Sequence, residues 1–396
     1  MPKLKDPIYL VAAVRTPIGK FGGGLLPLTA PQLGTAAARA AIERSGIDPA
    51  AIEEVIFGNA RQAGVGPNAA RQVAIKSGLR HEVPAYTVNQ ACGSGLRAIM
   101  NAADQLRLGE ASVILAGGTE SMSNTPYLLT QARWGQRMGN GEVIDGMVRD
   151  GFLCPLADEM MGSTAETLAE RYDISREEQD RFAVGSQMKA GRAYEEHRFV
   201  EEIVPVTVAG RKGDVVISQD EHPRFDASLD SMAKLPPVFR KQGTVHAGNS
   251  SGVTDGAAAM LVVNESAVRE HGLTPMARIV GYAQAGVDPR VMGIGPVPAT
   301  RKLLDETGLS LDDVDLIELN EAFAAQVIAC DRELHLDPEK LNVHGGAISL
   351  GHPIGATGAR ITTTLLHALR TRDKKLGLAT LCISGGMGLS MLVERT

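Results

Sequence analysis

One stretch of this chain is written twice, and nothing else constrains its fold as strongly. Gly46-Ile47-Asp48-Pro49 leads into Ile52-Glu53-Glu54-Val55-Ile56-Phe57-Gly58. After an offset of 262 residues, Gly308-Leu309-Ser310-Leu311 leads into Val314-Asp315-Leu316-Ile317-Glu318-Leu319-Asn320. Each copy reads as a helix closed by glycine, a short acidic turn and a buried strand. The parallel continues downstream. Thr87-Val88-Asn89 runs into a glycine turn and a helix, as Leu341-Asn342-Val343 runs into a longer glycine loop and a helix from Gly358. Strand-like runs at Ser112 to Gly118 and Ala258 to Val263 have counterparts at Leu376 to Gly386 and Leu389 to Val393. A single duplication accounts for all of this and predicts two α/β halves.

The first half is interrupted by an insertion of about 120 residues, 123–247, of different character; a long insertion in a repeat is more often a lid or binding element than core. It holds the only tryptophan, Trp134, and a helix start at Ser175-Arg176-Glu177-Glu178 that reads as a capping box. The chain therefore divides into 1–122 plus 248–274, an inserted 123–247, and 275–396.

Composition excludes several classes. With a net charge of −6, binding of nucleic acid or an anionic membrane by bulk charge is not expected. The four cysteines, Cys92, Cys154, Cys330 and Cys382, show no CxxC pairing and no metal-ligand spacing, so reduced thiols and no metal are expected. No apolar run reaches the ~18 residues of a membrane span, and Met1 to Pro7 lacks the apolar region of a signal peptide. A cytoplasmic protein is the expectation.

Chemistry concentrates where strands run into glycine turns. In Asn89-Gln90-Ala91-Cys92-Gly93-Ser94-Gly95, the spacing of Leu96, Ile99, Met100, Ala103 and Leu106 is helical, so Cys92 sits just ahead of a helix N-terminus. That position favours a thiolate, and Gly93 and Gly95 remove Cβ atoms that would obstruct the turn. The stretch alone leaves open a small buried cysteine. His352 lies in a loop with five glycines between His344 and Gly358, which the duplication places opposite Cys92; an imidazole there activates a sulfur nucleophile, whereas a solitary loop histidine is more often structural. Cys382 ends a strand before a glycine turn, where a second thiol could move a proton or simply be inert. Asn320 also follows a strand, where an amide could fix a water or donate to an oxyanion.

Asn89-Gln90-Ala91-Cys92-Gly93-Ser94-Gly95, Asn320-Glu321-Ala322-Phe323-Ala324, Gly351-His352-Pro353-Ile354-Gly355 and Cys382-Ile383-Ser384-Gly385-Gly386 together resemble the signature blocks of the thiolases, and the resemblance runs from Arg15-Thr16-Pro17-Ile18-Gly19 to the end of the chain. It implies a five-layered αβαβα core from two duplicated halves, with an inserted loop domain that binds coenzyme A and supplies an oligomer loop. It implies Cys92 as the acyl-accepting nucleophile, His352 as its base and Cys382 as the acid/base at the α-carbon. Asn320, through a water, and His352 are implied as one oxyanion hole, and the backbone N–H groups of Cys92 and Ser384 as the other. Arg224 and Ser231 match contacts to the nucleotide end of coenzyme A; Phe239, Ser251, Met292 and Phe323 match the pantetheine tunnel.

The expected activity is acetyl-CoA C-acyltransferase, with acetoacetyl-CoA preferred and coenzyme A as substrate and product rather than cofactor. A broad-chain 3-ketoacyl-CoA thiolase of fatty-acid β-oxidation is the alternative, and a non-catalytic acyl-CoA or lipid-binding relative a more distant one. A ketoacyl-synthase-like enzyme would carry histidines where Asn320 and Cys382 stand. Two positions depart from the family pattern: Ser384 where many members have glycine, and Met160 where short-chain biosynthetic members often have histidine. The resemblance also implies a homodimer or homotetramer, with Tyr127 to Asn140 as the tetramer loop.

Overall fold

A computed structural model describes residues 7–396; Met1 to Asp6, and with them most of the segment read above as lacking a leader, lie outside it. The central sheet is built from β1 (Ile8–Arg15), β2 (Glu54–Gly58), β3 (Ala85–Val88), β4 (Val113–Ser121), β5 (Thr254–Asn264), β6 (Ala277–Gly286), β7 (Leu316–Leu319), β8 (Leu376–Ile383) and β9 (Met387–Arg395), with a short strand at Gly19–Lys20 beside β5. The first half runs β3-β2-β4-β5-β1 and the second β7-β8-β9-β6. Each pairs its first strands in parallel, β2 with β4 and β7 with β8, then turns antiparallel at β5 and β9. Leu341 makes a parallel bridge to Ile317 where β3 pairs with β2 in the first half. The halves are thus one topology repeated, joined through two residue pairs, Tyr9 with Arg278 and Leu10 with Ala277.

Alternation along the strands produces the layers. Met260 and Val262 of β5 face inward onto α2 (Ser94–Leu108) and α7 (Thr357–Thr371), while Leu261 and Val263 face outward onto α1 (Ala30–Ser45). In the second half, Ala379 and Leu381 of β8 join the inner core while Leu378 packs outward with α5 (Pro296–Thr307) and α6 (Ala324–Leu334). The order is helix, sheet, paired central helices, sheet, helix. Because α7 has sheet on both sides, every residue from Thr357 to Leu369 is buried, unlike an ordinary amphipathic surface helix. The central helices approach so closely that a Cβ on Gly358 would lie 2.2 Å from the Leu96 backbone nitrogen, and one on Gly95 2.8 Å from that of Ala359.

The insertion contributes α3 (Met161–Arg171) and α4 (Arg176–Glu195). The expected capping box starts α4: the Ser175 hydroxyl accepts from Glu178 N–H at 3.1 Å and the Glu178 carboxylate accepts from Ser175 N–H at 2.8 Å. Among the described residues no helix is long and apolar enough to cross a membrane.

Candidate active site

The turn after β3 is held under strain. Ala91, not a glycine, adopts the left-handed region at φ 45°, a conformation that costs a non-glycine residue about 1–3 kcal/mol. Side chains of the motif tie it down. Asn89 Oδ1 accepts from Ala91 N–H at 3.0 Å, and Ser94 Oγ accepts from Gln90 N–H at 2.9 Å and donates to the Ala91 carbonyl at 2.6 Å. Gly93, read above as clearing the turn, has an ordinary φ of −79°. Its missing side chain matters for packing, since a Cβ there would lie 2.6 Å from Ile383 Cδ1 at the end of the strand bearing Cys382.

His352 Nε2 lies 3.3 Å from Cys92 Sγ. Its Nδ1 lies 2.5 Å from Thr357 Oγ1, whose single proton goes to the Pro353 carbonyl at 3.0 Å. Thr357 can therefore only accept from the ring, so Nδ1 carries the proton and the Nε2 lone pair faces the thiol. Burial, reinforced by the charges of Arg360 and Arg61, pushes His352 down to about 3, so the imidazole is neutral. The loop that carries it is pinned by the Glu120 carboxylate, which accepts from Gly355 N–H at 2.8 Å, Ala60 N–H at 3.1 Å and Asn59 Nδ2 at 2.9 Å.

Burial opposes the thiolate that the helix N-terminus favours at Cys92. Cys92 keeps some exposed surface, but its sulfur is enclosed by protein, and burial raises the thiol; the charge of Arg61 and a hydrogen bond from Ser384 N–H oppose this without overcoming it. Desolvation outweighs the half-charge of one helix end. A neutral thiol faces a neutral imidazole.

Cys382 stands at the end of β8, fully buried, and burial followed by the neighbouring Cys92 and Cys330 sulfurs holds it well above the usual thiol range. Asn320 follows β7, anchored by its N–H to the Thr380 carbonyl at 3.0 Å. Its side chain is buried and neither amide atom has a protein partner. Leaving such a group unsatisfied in a buried place costs about 1–3 kcal/mol.

A cavity of about 60 Å³ is lined by Cys92, His352, Cys382 and Ser384, and by Ser251, Met292 and Phe323 from the residues expected along a tunnel. Phe239 stands behind Phe323, ring centroids 6.2 Å apart and edge-on. Arg224 and Ser231 are exposed and are not brought to this cavity: Arg224 N–H donates to Gln187 Oε1 at 2.7 Å, and Ser231 Oγ turns back to the Ser228 carbonyl at 2.7 Å. Of the methionine pair, Met161 lines the cavity and Met160 does not. A larger hollow of about 560 Å³ between Arg44, Met276, Arg370 and Arg395 contains no cysteine. Among the described residues no cluster of three His, Cys, Asp or Glu side chains is placed to hold a metal. Sequence reasoning missed Thr357, Glu120 and Arg61; only Glu120, a carboxylate ending an apolar strand, left a visible signal.

A thiol with a neutral base in reach, a second buried thiol and N–H groups converging on sulfur are the parts of an acyl-transfer site that works through a cysteine. The chain belongs to the thiolase family. Its residues 8–266 match the model of the thiolase N-terminal domain and residues 273–395 that of the C-terminal domain. It is 54% identical over 387 residues to the acetyl-CoA acetyltransferase of Escherichia coli K12, with 98% of each chain covered. The structure of the Bacillus anthracis acetyl-CoA acetyltransferase superposes with a TM-score of 0.97 at 47% identity, covering 99% of both chains. Human mitochondrial 3-ketoacyl-CoA thiolase in complex with CoA superposes at 0.96 and 43% identity, again over 99% of each.

Proposed function

We propose that the protein is an acetyl-CoA C-acetyltransferase, condensing two acetyl-CoA units to acetoacetyl-CoA and cleaving it again with coenzyme A. The observation that carries this reading is the 3.3 Å approach of His352 Nε2 to Cys92 Sγ in a cavity that Cys382 also lines. In thiolysis, His352 takes the Cys92 proton as sulfur attacks the C3 carbonyl. The C2–C3 bond breaks, and Cys382, held as a thiol by burial, protonates the departing acetyl-CoA carbanion. Coenzyme A then removes the acyl group from Cys92. Two oxyanions form at different places. Asn320, through a water, and His352 serve one; the N–H groups of Cys92 and Ser384 serve the other, and the Ser384 side chain leaves its backbone donor in place. Coenzyme A is substrate and product, and the chemistry asks for no metal.

A cavity of about 60 Å³ suits a short acyl group and supports acetoacetyl-CoA over long chains. The alternative, a broad-chain 3-ketoacyl-CoA thiolase of fatty-acid metabolism, draws on the human mitochondrial relative. We assign pantetheine to Ser251, Met292, Phe323 and Phe239, and the nucleotide end to Arg224 and Ser231 on the inserted domain 123–247, which interrupts the first half (1–122 plus 248–274) and precedes the second (275–396). The segment Tyr127 to Asn140, with Trp134 81% and Met138 97% exposed, offers the apolar surface that a tetramer would bury, so a homodimer or homotetramer in the cytoplasm completes the reading. Steady-state thiolysis tests it: kcat/KM should be highest for acetoacetyl-CoA and fall along the neutral 3-oxohexanoyl and 3-oxodecanoyl series. Absence of turnover with all three would overturn it, and a rise with length would select the broad-chain enzyme.

A further inference from the structure

The wall of the cavity includes a charged residue that the proposed reaction does not use. Arg61 is only 5% exposed and lines the same wall as Cys92, His352 and Phe152. Its guanidinium is closely held: Cζ lies over the Phe152 ring, 5.6 Å from the centroid, and a Cβ on Gly151 would lie 1.9 Å from Nη2. One nitrogen, Nη1, donates to the Asp150 carbonyl at 3.3 Å, while Nε and Nη2 have no partner. The buried carboxylate of Glu120 feels the charge of Arg61 but does not pair with its guanidinium; it accepts instead from Asn59 Nδ2 and from the backbone of Ala60, Arg61 and Gly355.

A buried guanidinium with two idle donors is costly, and its planar fork matches a carboxylate. We infer that Arg61 forms an anion subsite in the acyl pocket, which lets the protein accept 3-oxoacyl-CoA substrates whose acyl chain ends in a carboxylate. The inference rests on the thiolase reading above and adds a substrate class to it. Size agrees: a cavity of about 60 Å³ has room for roughly four to six water-sized groups, enough for two methylenes and a carboxylate beyond the thioester carbonyl. With 3-oxoadipyl-CoA, Cys92 sulfur attacks C3 and its proton goes to His352. The C2–C3 bond breaks, and its electron pair takes the Cys382 proton to give acetyl-CoA. The succinyl group stays on Cys92 until coenzyme A removes it as succinyl-CoA. The coenzyme A proton then restores Cys382, and the His352 proton returns to Cys92.

The test compares carboxylate and methyl ends at equal length. In wild type, kcat/KM for thiolysis of 3-oxoadipyl-CoA should exceed that for 3-oxohexanoyl-CoA at least tenfold. Intact-protein mass spectrometry should show succinyl-CoA loading Cys92 faster than butyryl-CoA. In Arg61→Leu the ratio should fall to one or below, and Arg61→Lys should recover part of it. A wild-type ratio of one or less overturns the subsite whether or not Arg61→Leu folds. So does a high ratio that survives Arg61→Leu, because the carboxylate is then held elsewhere. Acetoacetyl-CoA, run alongside, separates the two claims: if it too fails to turn over in wild type, the thiolase reading itself has failed.

Discussion

The two halves place an asparagine at the same strand end and use it in opposite ways. Asn59 follows β2 as Asn320 follows β7. On the next strand Glu120 sits opposite Gly256, and Cys382 sits opposite Gly388. In the first half these groups close on each other: Asn59 Nδ2 donates to the Thr119 carbonyl at 3.0 Å and to Glu120 at 2.9 Å. Glu120 then accepts from Gly355 N–H and so fixes the loop bearing His352 from across the molecule. In the second half the asparagine has no partner and the strand ends in a thiol that lines the cavity. One end of the repeat is spent as a clamp so that the other can be left unsatisfied without the loops around it shifting. Polar groups left unpaired in a buried site are tolerable only when their surroundings are over-determined.

The largest expected effect separates the two thiols. Cys92→Ser removes the covalent route and should lower kcat by roughly 10⁴–10⁶-fold; no acetyl adduct should form on incubation with acetyl-CoA. Cys382→Ala should lower carbon–carbon bond formation and cleavage by about 10²–10⁴-fold, yet still accumulate acetyl-Cys92 on acid quenching. It should also lose exchange of the acetyl-CoA methyl protons with deuterated water. An acetyl group found on Cys382, or normal exchange in Cys382→Ala, would reverse the assignment of the two strand ends.

The paired asparagines give a smaller effect and a sharper contrast. On the proposed role at an oxyanion, Asn320→Ala should lower kcat by about 10²–10³-fold, with thermal unfolding close to wild type. Asn59→Ala leaves buried Glu120 short of one donor and should destabilise the fold by about 1–3 kcal/mol, with a much smaller loss of kcat. If both variants behave alike in melting and in kcat, the distinction between clamp and open site is wrong.

Only the second half's side of this contrast was legible in the sequence. The repeat at Gly46 and Gly308 predicts two α/β halves, and the strand-to-glycine transitions pick out Cys92, Asn320, His352 and Cys382, because such motifs are local and their spacing survives in one dimension. Tertiary packing decided what was not legible. Arg61 sits in an unremarkable Asn-Ala-Arg-Gln run, and only the fold brings it to the wall of the cavity. Thr357 looks like one more small residue in a glycine-rich helix start until Pro353 takes its proton. The protonation of Cys92 shows the same limit: a helix N-terminus, which favours the thiolate, can be seen in sequence, whereas the enclosure that opposes it cannot.

The smallest effect tests that protonation directly. An imidazole pushed down to about 3 carries no charge above roughly pH 4, so it gives Cys92 no imidazolium partner in the range where the enzyme is stable enough to assay. Burial raises the thiol, so at any given pH less thiolate is present than at an ordinary cysteine, whose pKa is about 8.5. Iodoacetamide, followed by peptide mapping at Cys92, should therefore react at a rate that climbs about tenfold per pH unit from pH 5 to 8 and does not level off until above the ordinary thiol range. Cys382, raised further by burial and by the neighbouring sulfurs, should react more slowly at every pH. A plateau of Cys92 alkylation between pH 4 and 6 would mean a resting thiolate–imidazolium pair. In that case the helix N-terminus and Arg61 together outweigh burial, and the proton movements assigned to His352 would have to start from the charged ring.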